Sequence, residues 1–455
     1  MRKNNDPPVR HTSLKLGLSA CMMMASIMHT AASHAADAPS PIDNTQGPLA
    51  NPTKDWLHQP GRIGDPGMTG DWGGERTKLS NEGIDIFSNY QVQTADIVNG
   101  GVKRGTSTNN QVILGANFNL SKLMGVPGGV FTFAVSDRYG SNASTLAGVR
   151  VTINSNYGEG ENFRLANMSF KQNLLNGRMS YQLGYFPAAA EFDYNPLLCS
   201  FLNQGFCGHP NSLAADSSGF QNPPGAQLGA RVTGFVLPDV YIKVGVFDVN
   251  PTRFTDPNQG FRLDTHGSTG TIYLTELGWN ASLGANHLPG HYKIGGYYDT
   301  SKAPDVVNPK LMHQGRSSGW LSIDQMLFNV GADSSRGLVL FGNLTQSNRD
   351  TSQIQSYDSA GFVFLGPLAS RPDDVLSLGW AKSNLNHRKL ASEIQKRPTF
   401  GYIGAERYID LSYKIQLTPW LFLTPDFQYL IHPGVFTAAR YPNATVIGGE
   451  LAFKF

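Results

Sequence analysis

The chain has 455 residues, of which 15% are charged, and a formal net charge of +2. Soluble chains of this size ordinarily carry charge on about a quarter of their residues. So even a balance, with no long Lys/Arg cluster, leaves no electrostatic footprint for nucleic acid and excludes it as a partner.

The first residues read as an export signal. Arg2, Lys3 and Arg10 are basic, an apolar stretch runs from Leu16 to Met28, and "SHAAD" offers small residues at Ser33 and Ala35. Cleavage near Ala35 or Ala36 is expected, which makes residues 1–36 a signal peptide. The alternatives are an N-terminal helix of the mature fold, or a lipoprotein box at "LSAC" (Leu18–Cys21), where the preceding apolar run is short and holds Lys15. Residues 37–82 form an arm rich in Pro, Gly, Asn and Asp, with a short helix expected in "ERTKLSNEG" (Glu75–Gly83) that ends on Gly83. Beyond the signal, no window of about 18 apolar residues is available to cross a membrane as a helix.

From Ile84 onward, apolar and polar residues alternate with period two. The spacing predicts sixteen strands over 83–93, 109–120, 128–136, 163–172, 178–185, 226–236, 239–247, 269–280, 290–298, 319–330, 336–344, 357–365, 373–382, 404–416, 420–429 and 445–455. Most approach the roughly 9–11 residues of a tilted membrane strand. "DVYIKVGVF", for example, sets Val240, Ile242, Val244 and Val246 against Tyr241, Lys243 and Gly245. "FRLANMSF" (Phe163–Phe170) alternates poorly.

The connections alternate in length. Short ones, such as "LPD" (Leu237–Asp239) and "LTP" (Leu417–Pro419), lie between long ones such as 137–162, 186–225 and 383–403. Short periplasmic turns, long extracellular loops and an even strand number are the pattern of an outer-membrane barrel. Gln111, Asn117, Gln182, Arg231, Lys243, Asp410 and Lys414 share the other parity. A dry core does not hold that many polar groups, whereas a wide wet lumen does. Tyr185, Trp279, Tyr298, Trp320, Trp380, Trp420 and Tyr429 fall near strand ends, as interfacial girdles do. The fold expected for 83–455 is therefore all-β: a transmembrane antiparallel β-barrel in the outer membrane of a Gram-negative bacterium.

Cys199 and Cys207 lie close together in a polar loop, which in an exported chain reads as a small disulfide loop. Two free thiols are the alternative, and no histidine pattern supports a metal there; His209 stands alone.

Three stretches carry a family resemblance. "TGDWGGERTKLSNEGIDI" (Thr69–Ile86), "FLNQGFCGHP" (Phe201–Pro210) and "PWLFLTPDFQYLIHPG" (Pro419–Gly434) with the final "GGELAFKF" resemble the opening, cysteine-bearing and closing blocks of the OprB-type carbohydrate-selective porins. The resemblance implies a sixteen-stranded barrel that passes sugars by diffusion, with long loops folded inward to narrow the lumen. It also implies that Phe455 resembles the signal by which barrel-assembly machinery recognises its clients, alongside its plainer reading as a girdle aromatic.

A sugar offers polar hydroxyls at its edge and an apolar C–H face, so a selective pore needs weak donors, acceptors and aromatic faces. Candidates are Asp137, Arg138 and Tyr139 in "SDRYG", then Glu159, Glu161 and Arg164 in "EGENFR". Glu191, Phe192 and Asp193 open the longest loop; Arg231 and Lys243 project inward from adjacent strands, and Glu406 and Tyr408 sit near a strand start. For each, the plainer reading is a loop charge, loop packing or charge balance. No nucleophile elbow, phosphate-binding loop or metal spacing stands out, so neither enzyme nor cofactor is expected. The reading is a passive channel for mono- or small oligosaccharides, with lipid and assembly machinery as partners. A homotrimer is compatible with the sequence and not decided by it. The rivals are a general or weakly ion-selective porin of the same fold, a barrel hydrolase, and a secreted β-rich sugar-binding protein.

Overall fold

The computed structural model describes residues 67–158, 161–207, 211–255, 260–331 and 333–455. The expected signal peptide, the arm up to residue 66, Glu159 and His209 lie outside the described residues.

Sixteen strands form one closed antiparallel barrel in which each pairs with its sequence neighbours and β1 pairs with β16. They are β1 Ile84–Asn99, β2 Gly105–Asn119, β3 Gly129–Gly140, β4 Arg164–Leu174, β5 Met179–Phe186, β6 Gln227–Leu237, β7 Val240–Val249 and β8 Gly270–Leu283. The second half is β9 Leu288–Pro304, β10 Met312–Val330, β11 Asp333–Gln346, β12 Ile354–Leu365, β13 Val375–Leu385, β14 Ala405–Thr418, β15 Leu421–Ile431 and β16 Ala444–Lys454. Closure leaves no strand edge unpaired, which is what a β-structure in hydrocarbon requires. No described helix is long and apolar enough to cross a membrane.

All expected strands are present in order, but β1, β2, β9 and β10 run further than the alternation indicated. The tip of β2 is Thr-, Ser- and Asn-rich and lacks an apolar stripe, yet Thr94–Thr108 and Thr106–Asp96 side-chain bonds tie it to β1. The weak pattern of β4 has a physical cause as well: the ladder skips between Ala134 and Val135, so Leu165 and Asn167 pair with consecutive residues of β3. Such a bulge breaks the alternation locally.

The outward parity carries exposed Leu114, Phe133, Leu183, Ile242, Leu277, Ile294, Leu340 and Leu411. Trp279, Tyr298 and Trp380 are exposed on the same face. Two expected girdle aromatics are placed differently. Trp320 points inward, where its indole N–H donates to Glu276. Tyr185 is covered by the β7–β8 connection, and its hydroxyl donates to the Leu263 carbonyl.

At one end of the barrel, helix Glu75–Glu82 stops on Gly83 in the left-handed conformation, with the Gly83 N–H returning to the Leu79 and Ser80 carbonyls. From this helix Arg76 donates to the Phe455 oxygen at 2.6 Å, and the Phe455 N–H donates to the Ser88 carbonyl. The start of the described chain and its last residue are thereby joined at the β1–β16 seam.

Candidate channel constriction

The inward face has two unlike halves. On β1 to β6 it is mainly polar: apart from Ala95 and Ile97 on β1, Gln93, Gln111, Asn117, Ser136, Arg138, Lys171, Gln182 and Arg231 point inside. On β7 to β14 it carries Phe247, Ile272, Tyr297, Trp320, Met326, Phe341, Tyr357 and Tyr408. Water alone cannot satisfy that second wall. The β5–β6 connection (187–226) covers it, and the β3–β4 connection (141–163) packs beside it over β14 to β16 and parts of β1 and β2, so part of the expected water-filled lumen is a packed core.

The β5–β6 loop enters along β7 to β10. Phe186, Phe192, Leu213 and Phe220 pack on Phe247, Val249, Ile272, Tyr297 and Trp320. Between Phe192 and Leu213 the loop lies on the adjoining strands, where Leu197, Leu198, Phe201 and Phe206 join Phe341 of β11 and Tyr357 and Val363 of β12. Phe201 and Phe206 stack with centroids 4.5 Å apart. Gly379 makes room for them, since a Cβ there would lie 2.6 Å from the Phe206 ring. Cys199 and Cys207 are joined by a disulfide that brackets this aromatic pair.

Polar ties fix the loop's path. The Asn203 N–H donates to Asp410 at 2.9 Å and its side-chain amide to Gln428 at 2.8 Å. The Tyr357 hydroxyl reaches the Gly205 carbonyl at 2.8 Å, and the Ser217 hydroxyl reaches Asp299 at 2.6 Å. The two loops also meet each other: the Ser155 N–H donates to the Leu202 carbonyl and the Gln204 N–H to the Thr152 carbonyl.

Against this frame the sequence candidates separate. Arg138 projects inward from β3 and touches both loops. Its Nε donates to Gln111 at 2.6 Å, and its Nη atoms to the carbonyls of Gly158 at 2.7 Å and Pro223 at 3.4 Å. It therefore spans the junction between the polar wall and the loop plug. Asp137 and Tyr139 are its strand neighbours, not the start of a loop, so they take the outward parity; Tyr139 is 46% exposed. Period two forbids all three from facing one lumen. Glu161 is exposed in the β3–β4 loop, while Arg164 is buried at the start of β4, with its Nε donating to Asn162 at 2.7 Å.

Glu191, Phe192, Asp193, Arg231 and Lys243 come together under the loop, where they hold it to the wall. Arg231 pairs with Glu191 at 2.9 Å and donates to Ser180 and Gln182. Lys243 pairs with Glu276 at 3.3 Å, donates to the Glu191 carbonyl and lies 5.2 Å from the Phe192 ring centre. The Asp193 N–H donates to Glu276 at 2.7 Å. Burial pushes the Asp193 carboxyl well above its ordinary value, and the nearby Glu276 charge adds to this. Phe192 has no solvent exposure, so its ring anchors the loop and offers no face to a passing solute. Glu406 and Tyr408 are buried as well: the carboxylate accepts from the Arg150 N–H at 2.9 Å and the Tyr408 hydroxyl at 2.6 Å, which holds the β3–β4 loop.

Sequence reasoning missed Glu276, Asn203 and the aromatic pair Phe201–Phe206. Glu276 receives Asp193, Tyr241, Lys243 and Trp320, which come from three segments: the β5–β6 loop, β7 and β10. The inward parity of Glu276 on β8 was the one available signal.

The family model described as "Carbohydrate-selective porin, OprB family" matches residues 103–455. Porin B of Pseudomonas aeruginosa is 31% identical over 420 residues, which cover 85% of this chain and 91% of that protein. The putative porin QuiX of Acinetobacter baylyi is 28% identical over 413 residues, covering 85% and 93%. The high-pH structure of Pseudomonas putida OprB superposes with a TM-score of 0.79 at 28% identity, over 87% of this chain and 100% of that one. Closed sixteen-strand barrel, inward loops and family match agree: the chain belongs to the OprB family of carbohydrate-selective porins and is a passive carbohydrate channel of the Gram-negative outer membrane.

Proposed function

We propose that the solutes are mono- and small oligosaccharides, and that they pass along the polar wall of β1 to β6 beside the two inserted loops. The observation that carries this is Arg138, whose guanidinium reaches from Gln111 on the wall to a carbonyl of each loop. Donors and carbonyl acceptors then alternate over a short distance, which matches the edge of a sugar ring. Each contact is exchangeable, as fast diffusion requires. The long-loop end faces outside and both termini face the periplasm. Residues 1–36 are removed, and Phe455 at the seam presents the segment read by the assembly machinery.

Liposome swelling with a graded set of sugars, polyols and amino acids tests the reading. Sugars should outpace amino acids of matched size, and Arg138→Ala should erode the difference. Equal rates for all solutes would favour the general porin. An esterase assay on the same preparation addresses the barrel hydrolase. Light scattering of the detergent-solubilised protein reads whether three barrels associate.

A further inference from the structure

The outer wall over β12 to β15 carries a feature that sugar diffusion does not use. On the outward parity, Ala360, Leu378, Trp380 and Ile409 border a groove of about 300 Å³ over the backbone of Gly361 and Gly379. The ladder sets Trp380 beside Ala360 on one side and Ile409 on the other, and Ile409 beside Tyr429. This row is aromatic and apolar, and the small Ala360 leaves the gap.

One outward step toward the long-loop end, the chemistry reverses. Lys382 pairs across the ladder with Arg407, and Arg407 Nη1 donates to His432 Nδ1 at 3.0 Å. Above them the β13–β14 and β15–β16 connections cross. Arg440 donates to the Phe400 carbonyl and Arg397 to the Ala438 carbonyl. The Arg397 guanidinium lies 4.9 Å from the Phe400 ring centre and 5.6 Å from that of Tyr402. A second pocket here is lined by Phe400, Tyr402, His432, Arg440 and Tyr441. Among the described residues, no carboxylate forms an ion pair with Arg397, Arg407 or Arg440. Asp358 lies on the same row beyond Lys382 and accepts from Asn384; Glu393 is taken up by Lys389 and Lys396.

Guanidinium groups gathered without counter-charge, directly above an aromatic belt, sit at the depth where acyl chains give way to headgroups. We infer that this face binds a membrane lipid with a phosphorylated headgroup, its acyl chain in the Ala360–Ile409 groove and its phosphate at Arg407 and Arg440. Arg suits this role because its planar fork matches phosphate oxygens. A free anion would have no use for the groove, and a neutral lipid would leave the guanidinium groups unmatched.

The test is native mass spectrometry of the detergent-solubilised barrel, titrated with bisphosphorylated lipid A or its dephosphorylated form. The phosphorylated form should be retained at least about tenfold more tightly, as a pair of charge-assisted contacts warrants. Arg407→Gln with Arg440→Gln should remove that preference. Ala360→Trp, which fills the groove, should weaken retention of both forms. Heat-modifiable gel migration confirms that each variant is folded. Equal retention of the two lipids, a preference that survives the double substitution, or full displacement by an equal concentration of inorganic phosphate would each overturn the assignment. Ala360 and Arg407 lie on the outward parity, and Arg440 belongs to the β15–β16 connection and to neither inserted loop, so sugar flux in the variants should match the parent, and the outcome is independent of the sugar reading.

Discussion

The Arg231 guanidinium on β6 lies 2.9 Å from the Glu191 carboxylate, and the Arg231 side chain is closed to solvent. The charge on the wall and the charge at the mouth of the longest loop cancel inside the barrel. Breaking such a pair from one side leaves the other charge stranded and costs about 3–5 kcal/mol. Glu191→Gln should therefore lower the urea midpoint in detergent and raise single-channel conductance as the loop loosens. Replacing both partners together, Glu191→Leu with Arg231→Met, should recover most of the stability. Conductance unchanged in the single variant would show that the loop is held elsewhere.

Arg138 should act on selectivity, and through its ties to Gln111, Gly158 and Pro223 on the seating of both loops as well. Charge-assisted hydrogen bonds contribute about 1.5–3 kcal/mol each, so losing a contact to solute weakens transient sugar binding by about tenfold or more. In swelling assays Arg138→Ala should slow sugars relative to amino acids, and Arg138→Lys should restore part of the difference. A uniform change across all solutes would instead mark a purely structural role.

The aromatic pair under the disulfide should control pore width. Truncating a buried Phe costs about 3–5 kcal/mol, so Phe206→Ala should lower the melting temperature and admit larger solutes. Reducing Cys199–Cys207 releases a short loop, worth roughly 2–3 kcal/mol by the chain-entropy argument. The same shift toward larger solutes should follow in milder form. Polyethylene glycol exclusion during conductance recording reads both.

Asp374, in the β12–β13 turn, should govern part of the acid limb of stability. Burial works to raise its pKa, but hydrogen bonds from Arg371 at 2.5 Å, the Tyr413 hydroxyl at 2.9 Å and the Gln416 N–H at 3.1 Å outweigh it and hold the carboxyl below its ordinary value. With the folded pKa depressed, the stabilisation is complete above the unfolded value of about 3.9 and is lost as pH falls through the folded pKa. Asp374→Asn should cost about 2 kcal/mol at neutral pH and flatten the fall in unfolding midpoint toward about pH 3. A parallel decline in both proteins would remove Asp374 from the account.

The walls of the barrel were legible in the sequence because a strand between lipid and water writes its environment on every second residue. Val240 to Phe247 shows this: Ile242 and Val244 are exposed outward, while Tyr241 and Lys243 are buried inward. The same parity identified Arg231, Lys243, Glu406 and Tyr408 as inward residues. What they meet there was not legible. Lys243 was read as lining a wet lumen, and it is covered by Phe192 from a loop.

The amino-acid sequence alone determined the strand count, the two faces of each strand and hence a closed cylinder, since those follow from a local period and from the solvent on either side. Only the tertiary structure decided that part of the lumen is a packed core, that Trp320 turns inward to Glu276, and which groups stay near a solute. Asn203 finds Gln428 across 225 residues of chain. No periodic signal links two such positions, because their contact depends on the shape of the space the barrel encloses, and that shape exists only once the barrel has closed.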